Sequence, residues 1–538
     1  MLDPTLNMSN KFPAFDIFSL REAYINRAIS VTSVIDEVLN RIKICKDYNV
    51  WISLQSPERL WSQAKQLEQQ DPKTLPLYGI PFAVKDNIDC YGLPTTAACP
   101  GFAYLPEKTA FVVQRLIDAG AILIGKTNMD QFATGLTGTR SPDSYGICKN
   151  ALNPDYISGG SSSGSAVAVA LNLVSFALGT DTAGSGRIPA AFNNIVGLKP
   201  SRGLLSSDGV VPACRSLDCV SLFCQTSAQA EYIFALINQA DSNDIYGRDN
   251  RALAEPYLPN STRQYRFGIP KPEQLNYFGD AESGELFQRA IESLKPLGEV
   301  VEIDFQPFLD AASLLYDGPW IAERYSGLRE FVESNSKQIH PVVYQILSNA
   351  KQKNAIDTFT ALHQLQALKQ QTYKLLSDLS CIVVPTAPTI YRIAEVLAEP
   401  IRLNSQLGYY TNYMNLLDLS ALALPFGFYR SGLPFGVTLF APALADLRLL
   451  SLGKIIESSQ SPKSVAVKTA AIDSGYRRIA VCGAHMQGLP LNTQLQTLGG
   501  RFFGRMRTAP NYRMYLLTAI PPERPGLFEI LTQDKRLI

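Results

Sequence analysis

Two short loops rich in serine and glycine hold the residues of this chain that are best suited to nucleophilic chemistry. The first covers residues 159–165 (GGSSSGS) and the second residues 179–187 (GTDTAGSGR), with an apolar segment between them. Glycine lets backbone N–H groups approach a ligand closely. A serine held among such groups can attack a carbonyl carbon while the same donors stabilise the oxyanion. The loops therefore predict a serine nucleophile with a backbone oxyanion site.

The base for such a serine is expected to be a lysine. The three histidines of the chain, His340, His363 and His485, are all distant from the loops in sequence. Lys85 instead ends an apolar run at residues 77–84, where burial would lower its pKa and let the neutral amine accept a proton. Ser–Lys sets are a known variant of the serine triad. The alternative is an ordinary lysine at a strand edge, with a buried stem and its charge in water.

Taken together, these motifs resemble the amidase signature family. The resemblance covers residues 15–455 and rests on Lys85 in its apolar frame, on both loops, and on IPAAF at 188–192 and VGLKP at 196–200. It implies a Ser–cisSer–Lys triad with Ser185 as nucleophile, Ser161 as proton shuttle and Lys85 as base. The 24 positions between Ser161 and Ser185 match the family's spacing.

The resemblance also implies a path for the proton and a set of oxyanion donors. Neutral Lys85 would deprotonate Ser161, Ser161 would deprotonate Ser185, and the relay would run back to protonate the departing ammonia. A cis peptide bond is expected before Ser161. The implied oxyanion hole consists of backbone N–H groups, those of Thr182, Ala183, Gly184 and Ser185.

Other polar residues of the two loops are expected to support the scaffold. Asp181 and Arg187 stand on either side of Ser185 and predict a structural ion pair. The remaining loop serines, Ser162, Ser163 and Ser165, are expected to donate supporting hydrogen bonds or to allow tight packing.

Within the amidase signature family, the chain looks most like the allophanate hydrolase subtype. The similar segments are NMDQFATG at 128–135, GTRSP at 138–142, AGSGR at 183–187, GLLS at 203–206, VPACRSLDCV at 211–220 and LYDGPWIAERY at 315–325. The last segment resembles the subtype's substrate-recognition helix. Carried over to this chain, Tyr316 and Arg324 would hold the substrate from roughly one helical face, with Gly135 and Arg140 lining the same pocket.

Allophanate is a small planar anion, a carboxylate attached to a urea, and a bidentate arginine is a natural receptor for it. The alternative for Arg324 is a surface ion pair with Glu323 or Asp317. Arg140 could equally cap a loop.

Composition argues against several other classes of function. The 49 basic and 48 acidic residues leave a net charge of +1, which offers no electrostatic footprint for nucleic acid or an anionic membrane. No apolar run reaches the ~18 residues of a membrane span, and residues 1–13 lack the parts of a signal peptide. Nine cysteines without CxxC spacing favour a reduced, cytoplasmic protein. We expect neither a metal nor another cofactor.

Helical periodicity and short apolar runs predict an α/β fold, the helices at 20–44, 112–119 and 362–379 and the strands at 121–124 and 381–385. The expected architecture is a large amidase-signature domain at 1–457, whose mixed central β-sheet is covered by helices. A linker at 458–476 and a small partial α+β module at 477–538 would follow.

The module at 477–538 resembles the start of the allophanate hydrolase C-terminal domain, through RIAVCGAHM at 478–486, GLPLN at 488–492 and TAPNYRMY at 508–515. In that family the domain is associated with decarboxylation of N-carboxycarbamate, the first product. The resemblance implicates His485, with Tyr512 and Arg513 as weaker anion contacts; a structural histidine is the alternative. Few residues follow the PGL element at 525–527, so we expect about half of this domain to be missing.

The expected function is hydrolysis of allophanate in urea or biuret catabolism, by a homodimer coupled to a urea carboxylase. Two alternatives stay open. One is an amidase for another substrate, such as malonamate or biuret, or the glutaminase component of a glutamyl-tRNA amidotransferase. The other is a non-catalytic scaffold within a urea-degrading assembly, against which the intact Lys85, Ser161 and Ser185 argue.

Overall fold

The structure, a computed structural model, describes residues 15–256, 265–460, 512–517 and 524–529. The chain divides into two compact units, Met1–Ser461 and Pro462–Ile538. The residues predicted to perform the amide chemistry all belong to the first unit.

A mixed sheet forms the centre of the first unit. Its strands are β1 (Trp51–Leu54), β2 (Pro81–Lys85), β3 (Ile122–Thr127), β4 (Phe176–Asp181), β5 (Val196–Lys199), β6 (Cys219–Cys224), β7 (Tyr265–Pro270), β8 (Gly298–Ile303), β9 (Cys381–Pro385), β10 (Leu419–Phe428) and β11 (Pro434–Pro442). Their order is β1-β3-β2-β4-β6-β5-β10-β11-β9-β7-β8. The pairs β2–β3, β2–β4, β7–β8 and β7–β9 are parallel and the other neighbours antiparallel. The predicted mixed sheet and both predicted strands are confirmed.

Helices cover the sheet, as the sequence predicts. They are α1 (Ile17–Ile25), α2 (Val31–Ile44), α3 (Pro57–Glu68), α4 (Phe111–Asp118), α5 (Ser163–Ala170), α6 (Ile188–Phe192), α7 (Ser227–Ile237), α8 (Ala281–Leu294), α9 (Gln306–Asp317), α10 (Trp320–Ser334), α11 (Pro341–Ser348), α12 (Ala355–Leu376), α13 (Ile393–Ala398), α14 (Arg402–Leu407), α15 (Tyr413–Leu416) and α16 (Asp446–Gln460). Helices α4 and α12 correspond to two of the predicted helices.

The third predicted helix, at residues 20–44, is in fact two helices. Helix α1 ends at Ile25, and Arg27 adopts a left-handed φ of +54° that breaks the helical path. Ser30 then caps α2, because its side chain accepts a hydrogen bond from the N–H of Ser33 at 3.1 Å. A cap residue favours the start of a new helix over the continuation of the old one.

The parallel pairing of β2 and β4 positions the serine–glycine loops. Val84 of β2 is in register with Leu178 of β4, so the two strands end at the same edge of the sheet. Lys85 is the last residue of β2, and the loop after Asp181 leaves β4 beside it. Helix α5 starts within the first loop and packs against β2, β3 and β4. One edge of the sheet therefore gathers both loops and the lysine.

Helix α16 continues through Gln460 and so includes the first residues of the expected linker. In the second unit the structure describes one antiparallel pair, β12 (Tyr512–Leu517) with β13 (Arg524–Glu529). His485 and the remainder of the linker lie outside the described residues, and the domain boundaries stay a prediction. No helix among the described residues is long and apolar enough to cross a membrane.

Candidate active site

Lys85 is wholly buried at the end of β2 and is hydrogen-bonded to two hydroxyl groups. Its Nζ donates to Ser161 Oγ at 2.8 Å and to Thr180 Oγ1 at 2.7 Å. The side chain is 0% exposed, so the alternative of a strand-edge lysine with its charge in water is wrong. A neutral amine has two N–H donors and one lone pair. Both contacts use N–H donors in this geometry, so acceptance of the Ser161 proton requires the neutral amine to turn its lone pair towards Ser161.

The environment of Lys85 favours that neutral form. Burial is the largest influence and lowers the pKa of its amine from the ordinary 10.5 to about 7. The charges of Asp130, Asp218 and Asp181 act in the opposite direction, whereas that of Arg324 lowers the pKa further. A pKa near 7 leaves much of the amine neutral at neutral pH, as a general base requires.

The two serines continue the hydrogen-bond chain from Lys85. Ser161 Oγ lies 3.0 Å from Ser185 Oγ, in hydrogen-bond contact, so the three predicted catalytic residues stand in line. The peptide bond between Gly160 and Ser161 is cis, as the family resemblance implied. Lys85 and Ser161 are fully buried, while Ser185 retains 3% exposure. Of these three hydrogen-bonded residues, Ser185 is thus the one that a substrate can reach.

A buried ion pair holds the turn around Ser185. Arg187 donates through Nε to Asp181 Oδ2 and through Nη2 to Oδ1, both at 2.8 Å, and neither side chain is exposed. The same carboxylate accepts the N–H groups of Gly184 at 3.0 Å and Gly186 at 2.9 Å. Burial raises the pKa of Asp181, but Arg187 and these hydrogen bonds outweigh it and hold the pKa below its usual value. The predicted structural ion pair is confirmed.

This ion pair corrects the prediction for Gly184. Because its N–H already donates to Asp181, Gly184 does not fit the role of an oxyanion donor. Among the described residues, no protein acceptor pairs with the N–H groups of the three other predicted donors, Thr182, Ala183 and Ser185. Glycine is required at position 184 for a steric reason instead. Its φ is +141°, and a Cβ there would lie 2.6 Å from a threonine hydroxyl.

The other loop serines form supporting hydrogen bonds, as predicted. Ser162 Oγ donates to the carbonyl of Thr180 at 3.0 Å, and Ser165 Oγ donates to that of Leu178 at 2.9 Å. These bonds fasten the first loop to β4, on which Thr180 carries the second hydroxyl that contacts Lys85. Ser163 is buried beside them.

Arg324 approaches this edge of the sheet from helix α10. Its Nη1 donates to Thr134 Oγ1 at 2.8 Å and to the carbonyl of Ala133 at 3.2 Å. Its charge is near enough to Lys85 to lower the pKa of that amine. The alternative of an Arg324–Glu323 surface pair is wrong, since the Glu323 carboxylate accepts the N–H and hydroxyl of a serine at 2.7 and 2.6 Å.

Tyr316 and Arg324 lie on two helices, so the predicted common helical face is wrong. Helix α9 ends at Asp317 and α10 begins at Trp320. Gly318 between them is extended, and the proline that follows it has no N–H with which to continue the helical hydrogen bonds. The side chain of Tyr316 lies outside the described residues, and its contact with substrate stays a prediction.

Gly135 and Arg140 occupy the loop that Arg324 contacts. A Cβ on Gly135 would lie 2.5 Å from Asp130 Oδ2, so only glycine fits there. Arg140 is buried and donates to the carbonyls of Thr134 at 2.9 Å and Pro400 at 2.7 Å. These contacts match the loop-capping alternative for Arg140 rather than a place in the pocket wall.

Two residues of this site were not singled out from the sequence, Thr180 and Asp218. The buried carboxylate of Asp218 accepts hydrogen bonds from Thr182 Oγ1 at 2.5 Å and from the N–H of Ala213 at 2.8 Å. Burial raises the pKa of Asp218 to about 6. The available signal was an aspartate in apolar surroundings, directly before the run CVSLF.

No set of three or more His, Cys, Asp or Glu side chains in the described ranges is arranged to hold a metal ion.

Comparison with known proteins shows which family the chain matches. Residues 33–450 match the Amidase family, and residues 477–537 match the Allophanate hydrolase C-terminal domain. The chain belongs to the amidase family.

Three relatives show how far the similarity of this amidase extends. Urea amidolyase of Saccharomyces cerevisiae is 42% identical over 519 residues, which are 92% of this chain and 28% of that protein. Urea amidolyase of Lachancea kluyveri is 43% identical over 502 residues, which are 89% of this chain and 27% of that protein. The solved structure of Kluyveromyces lactis allophanate hydrolase has a TM-score of 0.77 at 40% identity and covers 96% of this chain and 88% of its own. The amidase thus spans little more than a quarter of the two urea amidolyases.

The reactivity of Ser185 in this amidase is expected to rise with pH around 7, because Lys85 accepts a proton only when it is neutral. The rate at which a fluorophosphonate labels Ser185, followed by mass spectrometry from about pH 5 to about pH 9, measures this. Lys85→Met should slow labelling by about 10²–10⁴-fold. Lys295→Met, at an exposed surface lysine, is the control and should leave the profile unchanged. A flat wild-type profile would contradict the assignment of Lys85 as base.

Proposed function

We propose that this amidase hydrolyses allophanate and releases ammonia through an acyl-enzyme on Ser185. The observation that carries the proposal is the unbroken hydrogen-bond chain from Lys85 through Ser161 to Ser185, with the positive charge of Arg324 close by. The substrate is supported by the relatives, since one similar structure is an allophanate hydrolase and two similar sequences are urea amidolyases.

In the first step, Ser185 Oγ attacks the terminal amide carbon of the substrate. As the new C–O bond forms, the Ser185 proton passes to Ser161 Oγ and the Ser161 proton passes to Lys85 Nζ, across contacts of 3.0 and 2.8 Å. The carbonyl oxygen becomes an oxyanion and accepts hydrogen bonds from the N–H groups of Thr182, Ala183 and Ser185.

The proton then returns along the same path to the leaving nitrogen. Protonation is essential because an unprotonated amide nitrogen is a poor leaving group. Ammonia departs and leaves the acyl group as an ester of Ser185. Water attacks this ester with the same relay as base, and the product from allophanate is N-carboxycarbamate.

Recognition of the substrate carboxylate is assigned to Arg324. Its contacts with residues 133–134 use Nη1, and no other protein acceptor in the described part of the chain engages its Nε or Nη2. These two nitrogens can therefore present a side-on fork to a planar carboxylate. Tyr316 is proposed as a second contact, and Gly135 keeps the adjoining loop close to the pocket.

Ammonia release from allophanate, biuret, malonamate and glutamine tests this function. We expect a preference for allophanate, complete loss in Ser185→Ala, and a KM for allophanate raised about 10–100-fold in Arg324→Met, because a charge-assisted contact is worth roughly 1.5–3 kcal/mol. Arg329→Met, on the same helix but 67% exposed, is the control. A preference for a neutral amide, with Arg324→Met indistinguishable from the control, would refute the substrate assignment. Retained turnover in Ser185→Ala would refute the nucleophile.

We place this reaction in urea catabolism, coupled to a urea carboxylase that would supply allophanate. The match to the Saccharomyces cerevisiae relative named urea amidolyase covers 28% of that protein, which leaves room in it for a further activity. A cytoplasmic location is also proposed. The described cysteines are all free and buried, as expected of a protein in a reducing compartment.

We further propose that the amidase is a homodimer that pairs through helix α12. Three apolar residues spaced at i, i+3 and i+6 are exposed on this helix: Ile356 by 77%, Phe359 by 63% and Leu362 by 45%. Light scattering should give twice the chain mass of 59.1 kDa, and Phe359→Glu should give a monomer. Phe428→Glu, which changes an exposed phenylalanine on β10, is the control. A monomeric wild type would contradict the proposal.

The decarboxylation assigned to His485 stays a proposal about residues outside the described ranges. We expect deletion of residues 476–538 to leave ammonia release within about twofold of the full chain, because the proposed catalytic residues and Arg324 all lie in the first unit. Ammonia and CO2 should be quantified in the same samples. Abolished ammonia release, in a deletion variant that keeps its circular dichroism spectrum, would show that the second unit is needed for the amidase step.

A further inference from the structure

The oxyanion loop, residues 182–185, is held by a carboxylate that takes no part in the reaction described above. Thr182 Oγ1 donates to Asp218 Oδ1 at 2.5 Å, across 36 positions of sequence. Asp218 also accepts the N–H groups of Ala213 at 2.8 Å and Cys214 at 3.1 Å. The carboxylate therefore joins its own turn, at residues 213–218, to the first residue after β4.

That contact restrains a proposed oxyanion donor. The hydroxyl and the N–H of Thr182 belong to the same residue, so holding the hydroxyl limits how far the N–H can rotate. Gly184, two residues later, is held by Asp181. The free N–H groups of Thr182 and Ala183 thus lie between two carboxylate anchors, one at each end of the short segment. A donor that is oriented before the oxyanion forms needs no reorganisation during the reaction.

Asp218 also acts on Lys85 through its charge. The ionisable groups that influence the pKa of the Lys85 amine are Asp130, Asp181, Asp218 and Arg324. Asp181 is paired with Arg187, whereas no arginine or lysine in the described residues lies within ion-pair distance of Asp218. With a pKa of about 6, Asp218 is mostly ionised where Lys85 titrates, and its negative charge raises the pKa of the amine.

We propose that Asp218 is a positioning residue of the amidase reaction, which orients Thr182 in the oxyanion loop and adjusts the basicity of Lys85. The hydrogen-bond partners of Asp218 are Thr182, Ala213 and Cys214 rather than the reacting side chains, and the charge of Arg324 acts to lower its pKa. The inference rests on the proposed function only in that Ser185 is the nucleophile.

The pH profile of fluorophosphonate labelling at Ser185, measured in Asp218→Asn, tests both the orientation of Thr182 and the effect on the basicity of Lys85. We expect the maximal labelling rate to fall about tenfold, because an amide cannot accept all the hydrogen bonds that the carboxylate accepts. We expect the midpoint to move to lower pH, because removal of a negative charge lowers the pKa of Lys85. A merely structural role for Asp218 would lower the rate or the yield of folded protein without moving the midpoint.

Asp446→Asn is a closely matched control. Asp446 is likewise a buried carboxylate that accepts a serine hydroxyl and a backbone N–H, from Ser201 at 2.5 and 2.7 Å, and it is not among the charges that chiefly set the pKa of Lys85. Its variant should keep the wild-type midpoint. An unchanged midpoint in folded Asp218→Asn, or the same shift in Asp446→Asn, would overturn the electrostatic part of the proposal.

A second pair of variants covers the case in which Asp218→Asn does not fold. Thr182→Val keeps the shape of the residue but removes its hydroxyl, and Thr182→Ser keeps the hydroxyl. We expect kcat of the valine variant to be about tenfold below that of the serine variant, with little difference in KM, because only serine keeps the hydroxyl that Asp218 holds. Equal kcat values in the two variants would overturn the positioning role.

These outcomes can be told apart from a failure of the proposed function. Labelling of Ser185 requires no amide substrate, and kcat can be measured on whichever amide the wild-type chain hydrolyses. An amidase that ignored allophanate would therefore refute the substrate assignment and leave the test of Asp218 intact.

Discussion

The site depends on keeping the amine of Lys85 both buried and uncharged. A carboxylate in direct contact would stabilise the ammonium, raise its pKa and remove its capacity to act as a base. The chain instead offers Lys85 two hydroxyls, Ser161 and Thr180, as its hydrogen-bond partners. Hydroxyl groups can hydrogen-bond to a buried amine without stabilising its charged form, and in the proposed mechanism Ser161 also passes the proton to the amine.

The surrounding carboxylates form ion pairs and hydrogen bonds with groups other than the Lys85 amine. Asp181 is paired with Arg187 and binds the N–H groups of the turn around Ser185. Asp130 accepts the N–H groups of Gly138 and Arg140 in the neighbouring loop. Each carboxylate thus holds a loop in place, and the positive charge of Arg324 favours the neutral form of the Lys85 amine.

The sheet explains why such distant residues meet. Strands β2 and β4 are parallel neighbours, so their carboxyl ends bring Lys85 and the Ser185 loop to one edge. The turn at residues 213–218 links this cluster to helix α10: Asp218 accepts from Thr182 at one end, and Ser216 donates to Glu323, the neighbour of Arg324, at the other. The residues proposed as proton relay, oxyanion donors and substrate receptor therefore share one framework.

Much of this site could be predicted because its residues lie in compact motifs. The sequence predicted that Lys85, Ser161 and Ser185 act together, and it also predicted the Asp181–Arg187 pair and the mixed sheet. The errors concern geometry that spacing does not determine. Whether the N–H of Gly184 points into the oxyanion hole or to Asp181 depends on how the turn closes, and the break at Gly318 puts Tyr316 and Arg324, eight positions apart, on two helices rather than on one helical face. Thr180 and Asp218 matter only through contacts across 95 and 36 positions, which no local pattern reveals.

A direct titration of the Lys85 amine is the measurement that tests this account most closely. Lysine labelled with ¹³C at the ε carbon reports the ionisation of each amine by NMR, and comparison with Lys85→Met assigns the resonance. The account predicts a pKa of about 7 for Lys85. An ordinary pKa above 10 would leave Ser161 and Ser185 without a base at neutral pH and would contradict the mechanism.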